Sequence, residues 1–173
     1  MTDQNTHHSS YREMLLEHLF VGGVMRHLWL RKIAQFEVLK PQVDDSGYDL
    51  VLEANGFVRH VQLKASASDS STAEVKVSLR LAAKPSGCVI WMHFDPKTME
   101  LGPFLWYGGS PGYSLPDISK LPIAKHTKAN SLGIKLPRQG HRVLRRSAFQ
   151  KVSTWEGIVD RLFGAFAEAG PAV

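Results

Sequence analysis

The stretch "GYDLVLEANGFVRHVQLK", residues 47–64, decides the reading of this chain. Asn55-Gly56 sits between two apolar runs, and a two-residue type I′ turn needs positive φ at both positions, which suits this dipeptide. The turn fixes a hairpin register: Ala54 faces Phe57, Glu53 faces Val58, Val51 faces His60, and Asp49 faces Gln62. Side chains alternate along a strand, and opposed residues share a face. One face therefore carries Asp49, His60, Gln62 and Lys64. The other carries Leu50, Leu52, Val61 and Leu63 and belongs in a core.

Outward from the hairpin, "YREMLLEHLFVGGVMRHLWLRKIAQ" predicts a helix from about Ser10 to Gln35, with Ser9 or Ser10 as its N-cap. Its apolar residues cover most of the circumference, as in a helix packed inside a fold. Gly22-Gly23 costs about 1 kcal/mol per glycine relative to alanine, so the backbone there should lie close to another element. Short strands are expected at 36–40, 73–82 (with a helical turn open in its second half), 88–94 and 100–108. Residues 109–141, rich in Gly, Pro and Lys, read as irregular. Ser153 and Glu156 have capping-box spacing ahead of a helix at about 154–167. No repeat or linker interrupts the chain, so residues 1–173 read as one α/β (α+β) domain.

The 173 residues suffice for a real core. A lone cysteine excludes an intrachain disulfide, and no apolar run spans a bilayer, so a cytoplasmic protein without a membrane partner is expected. The net charge is +5, and no Asp or Glu occurs between Ile118 and Trp155. That basic segment, within 109–151, makes Lys125, Lys128, Lys135, Arg138, Arg142, Arg145 and Arg146 candidates for gripping a polyanion, nucleic acid being the usual one. A merely solvated basic surface is the alternative. No zinc spacing, P-loop or nucleophile elbow is present.

A hard cation such as Mg²⁺ takes oxygen ligands, commonly one or two carboxylates with water and substrate phosphate. On the hairpin's polar face Asp49 offers a carboxylate, Gln62 a side-chain carbonyl and Leu63 a backbone carbonyl. The Lys64 ammonium is placed to orient or deprotonate a water, or to offset charge on a phosphate. Glu17, set among Met14, Phe20 and Val21 at helical spacing, is a further inward acid, with Glu13 in reserve. Separately, each has a plainer reading: Asp49 as a loop cap, Lys64 as an edge-strand lysine, Gln62 as an exposed polar residue, Glu17 in an ion pair.

Helix acid, Asp49, then Gln62-Leu63-Lys64 on the next strand together resemble the PD-(D/E)xK, or restriction-endonuclease-like, nuclease superfamily over roughly residues 13–94. Tyr48 stands at the Pro position, and Gln62 replaces the usual acid, removing one negative charge. The resemblance implies a central mixed sheet flanked by helices and a DNA endonuclease dependent on Mg²⁺ or Mn²⁺. It assigns Asp49, Gln62 and Lys64 to the motif, with Glu17 added. It implies roles in repair, recombination or defence against foreign DNA, and it would suit a homodimer. The alternative is an inactive nucleic-acid-binding module on the same fold.

Overall fold

The computed structural model describes residues 8–43, 46–126, 131 and 133–166. Strands β1 (Glu37–Leu39), β2 (Leu50–Ala54), β3 (Phe57–Ala67), β5 (Gly87–Phe94), β6 (Leu101–Gly108) and β9 (Gln150–Val152) form a six-stranded sheet in the order β1-β2-β3-β5-β6-β9. Only β3 and β5 pair in parallel; the other neighbours are antiparallel, which makes the sheet mixed. Between β3 and β5 the chain crosses over through β4 (Glu74–Ser78) and the one-turn helix α2 (Leu79–Ala82). β4 joins a second sheet with β8 (Pro137–Arg145) and β7 (Ile123–Lys125), in the order β4-β8-β7. Thus 73–82 is a strand that ends in a helical turn, capped by the Ser78 hydroxyl accepting from Arg80 N.

The hairpin register is the expected one. Ala54 pairs with Phe57, Glu53 with Val58 and Val51 with His60, and Asn55 and Gly56 take φ of 54° and 74°. Leu50, Leu52 and Val61 are buried, with Leu63 packed against them, in a core roofed by helices α1 (Ser9–Leu30) and α3 (Trp155–Phe163). On the other face of the sheet, Val89, Trp91 and Leu105 meet Val77 and Leu144 of the small sheet in a second core. Trp106 and Tyr107 point to opposite faces and pack one into each core.

Gly23 explains half of the glycine pair. A Cβ there would sit 2.2 Å from the Trp155 ring, so glycine is what lets α3 seat its first residue on α1. Trp155 then stacks on His27 and meets Phe20 and Phe104. Arg31 bonds Asp160 at 2.5 Å across the same helix pair.

Four expectations differ. α1 starts at Ser9 after His8, without a side-chain cap, and stops at Leu30 rather than Gln35. α3 is capped by Thr154, whose hydroxyl accepts from Gly157 N, one residue later than the Ser153 spacing suggested. Strands β7 and β8 lie inside the stretch read as irregular. Finally, α1 is not enclosed: Leu16, Phe20, Val24 and Leu28 are buried, but its opposite side is open.

Candidate active site

β2 begins at Leu50, opposite Val61, whereas β3 continues to Ala67. Past the start of β2, residues 63–67 therefore keep β5 on one side and pair with no other strand among the described residues on the other. Asp49, the residue before β2, turns into this gap. Its backbone N–H donates to Val61 O at 2.9 Å, and its Oδ2 accepts from Leu63 N at 2.6 Å. A strand residue's N–H and C=O point to the same edge, so the Leu63 carbonyl faces the same opening as the Asp49 carboxylate.

That opening is a cleft of about 720 Å³, closed on its far side by the first turns of α1. Asp49, Leu63, Lys64, Glu17 and Glu13 all line it, as does Lys40 from the end of β1. Glu17, mostly buried, is ion-paired with Lys40. Ser66, Ser70 and Thr72 continue the lining beyond Lys64.

Gln62 is placed differently. It is 7 % exposed and points to the sheet's other face, where its Oε1 accepts from Ser78 N at 3.3 Å. The residue thereby ties the large sheet to the first strand of the small one. A carbonyl oxygen carries two lone pairs, so one acceptor site remains after that bond. His60, also expected on the polar face, packs edge-on against Tyr48 at 4.9 Å; burial, then nearby Lys84, lowers its pKa.

The donor set in the cleft is oxygen from carboxylates and a strand carbonyl, without thiolate or imidazole, and suits a hard divalent cation. Among the described residues no three His, Cys, Asp or Glu side chains stand close enough to form a ready-made cage. The fit is to an ion that keeps waters and takes a substrate oxygen, as Mg²⁺ does.

The basic residues divide. Lys125, Lys135 and Arg145 line a groove of about 440 Å³ on the outer face of the small sheet, together with Lys76 and Glu74. Lys76, outside the acid-free window and so missed, donates to Lys125 O at 2.5 Å; alternation along β4 was the signal that it shares a face with Arg145. Arg138 is exposed on β8. Arg142 instead folds onto the carbonyls of Ser119, Gln139 and His141, closing the preceding loop. Arg146 bonds His93 Nε2 at 3.0 Å and lies over Trp91. Lys128 lies outside the described residues. His141 pairs with Ser78 across β4 and β8, and burial, then Arg138, Lys64, Lys76 and His126, lower its pKa.

Another polar residue escaped the sequence reading. Arg59 is fully buried, with its guanidinium over Trp106 and its N–H groups on Ser86 Oγ, Ser110 O and Gly109 O at 3.0–3.1 Å. Burial lowers its pKa and raises that of adjacent Cys88 to about 11.

Residues 28–152 match the family model described as PD-(D/E)XK endonuclease. The chain belongs to the PD-(D/E)XK endonuclease family. The matched residues include Asp49, Gln62 and Lys64, whereas Glu13 and Glu17 lie upstream of them and enter the site through the geometry of α1. The mixed sheet with helices is that of a restriction-endonuclease-like fold. No curated protein matches the chain. Among solved structures, a bacterial homing endonuclease, I-Ssp6803I, is similar at 19% identity and a TM-score of 0.28, covering 68% of this chain and 82% of its own. No helix among the described residues of this PD-(D/E)XK endonuclease is long and apolar enough to cross a membrane.

Proposed function

We propose that the protein is a DNA endonuclease that uses Mg²⁺ or Mn²⁺, with its reacting centre in the cleft beside residues 63–67 of β3. The observation that carries this is the Leu63 N–H bond to Asp49, which fixes a carboxylate at the strand carbonyl and beside the Lys64 position. Asp49, Glu17 and Leu63 O would hold the ion; Gln62, whose Oε1 accepts from Ser78 N on the sheet's other face, would brace β3 beside it without touching it. When bound, the ion supplies Lewis-acid polarisation of the phosphate and a more acidic water. Lys64 would orient the attacking water and offset charge on the phosphate as the new P–O bond forms and the bond to the leaving sugar oxygen breaks, the water's proton passing to solvent and the sugar oxygen taking one up from it. Lys125, Lys135, Arg138 and Arg145 hold the flanking backbone, while Arg142 and Arg146 shape the surface that presents them. Lys128 is kept in this set on charge alone. Such an activity would serve repair, recombination or defence against foreign DNA inside the cytoplasm, and a homodimer would offer one cleft to each strand.

Gln62 favours a second reading, an inactive DNA-binding module, because its carbonyl is already engaged by Ser78 and brings no charge. Plasmid cleavage with Mg²⁺, comparing wild type with Lys64→Ala, tests both. Metal-dependent nicking lost in Lys64→Ala, with DNA affinity kept, supports the nuclease. Tight binding by a wild type that never cuts supports the module. In either case log affinity should fall with log salt by about 0.9 per phosphate contacted.

A further inference from the structure

We infer that two copies of this chain associate through the outward face of α1, crossing antiparallel at Gly22. A helix apolar around most of its circumference is normally covered on all sides. Here Leu16, Phe20, Val24 and Leu28 face the core, yet Tyr11, Met25 and Trp29 stand on the opposite side at helical spacing. Trp29 is 72% exposed, Tyr11 63% and Met25 52%; Leu19 and Leu30 flank them. Together these side chains expose on the order of 600 Å² per chain, the upper end of the largest apolar patch on a typical monomer. That is also close to the roughly 800 Å² per partner of a standard interface.

Gly22 lies in the middle of this face. A mid-helix glycine destabilises relative to alanine, and unlike Gly23 this one meets nothing: a Cβ built there has no atom within 4 Å. Nothing within the described chain explains it. Close approach of a second backbone does.

The occupant that fits is the same face of another copy. In a two-fold interface residue i meets j and j meets i. Crossing at Gly22 sets Leu19 opposite the partner's Met25, three residues to either side, and Leu15 opposite the partner's Trp29, seven to either side. Four residues out, Arg26 faces the partner's His18. The Nδ1 of His18 bonds its own Met14 carbonyl at 2.7 Å, so a neutral His18 offers Nε2 as an acceptor to the guanidinium. The pairing does not depend on what the cleft does.

Sedimentation of the full chain at micromolar concentration tests it. The wild type should show about twice its 19.3 kDa chain mass. Gly22→Leu should dissociate at least tenfold more readily while melting no lower, since leucine is the better helix former. Trp29→Lys should also sediment as a monomer. Because Cys88 is buried, Leu19→Cys mixed with Met25→Cys should give a crosslinked pair on oxidation. A monomeric wild type, variants as dimeric as the wild type, or no crosslink in that mixture would overturn the inference.

Discussion

The carboxylate of Asp49 accepts a 2.6 Å hydrogen bond from the backbone N–H of Leu63, fourteen residues away on the neighbouring strand. One oxygen is thus tied to the fold, and the group is held where β3 loses its partner. Asp49→Asn keeps an acceptor for that N–H and removes only the charge. Metal-dependent cleavage should then fall by on the order of 100-fold, with the melting temperature nearly unchanged. Asp49→Ala should in addition lose about 1–3 kcal/mol of stability, because the Leu63 N–H loses its acceptor. Thermal melts run beside plasmid nicking separate the two effects.

Lys40 holds Glu17 on the cleft wall. An ammonium and a divalent cation compete for one carboxylate, so Lys40→Met should let Glu17 bind the ion more tightly. The expected result is a several-fold lower Mn²⁺ dissociation constant by calorimetry, about 1 kcal/mol of lost competition. Unchanged Mn²⁺ affinity would remove Glu17 from the proposed ligand set.

At position 62 the bond to Ser78 N and the burial constrain what can be tolerated. Gln62→Ala should cost about 1–3 kcal/mol by leaving that N–H unsatisfied. Gln62→Glu keeps an acceptor but buries a charge on the face away from the cleft, so its denaturant midpoint should fall while Mn²⁺ affinity stays that of wild type. Measuring metal affinity and denaturant midpoint on both variants checks this.

Acid should destabilise the protein earlier than carboxylate titration alone. Burial is the largest cause lowering the pKa of His60, His93 and His141 from the ordinary 6.5, followed by Lys84, Arg146 and Arg138 respectively. Their unfolded forms take up protons first as pH falls. The stability they contribute is therefore present above pH 6.5 and lost as pH drops through their folded values. Melting temperatures from pH 8 to 5 should begin to decline near 6.5.

Arg59 offers a structural test. Arg59→Met fills similar space but leaves the carbonyls of Gly109 and Ser110 without their Arg59 donor, while Ser86 Oγ keeps only the Gly112 N–H. It should cost about 2–3 kcal/mol by denaturant titration, and Arg59→Lys, with no planar fork, should recover only part of that.

The sequence carried the hairpin well because Asn55-Gly56 allows one short turn and one register, and that register placed Leu50, Leu52 and Val61 in the core. The same alternation puts Arg59 on the core face with Val61 and Leu63; its charge hid a position that the period had already marked. Strands β7 and β8 were not legible, since β8 is largely polar and exposed and its partner β4 lies some sixty residues earlier. For the site, spacing brought Asp49, Leu63 and Lys64 to one cleft. It could not show that Gln62 reaches across to Ser78, a contact between sheets that no local pattern encodes.

The overhang of β3 has a consequence for substrate length. Residues 63–67 extend about 16 Å at strand rise, roughly five steps along one duplex strand. A shelf of that reach receives a run of phosphates, not one. Dinucleotides and small phosphodiester analogues should leave most of it empty and turn over poorly, and rates should climb with oligonucleotide length until the shelf is filled.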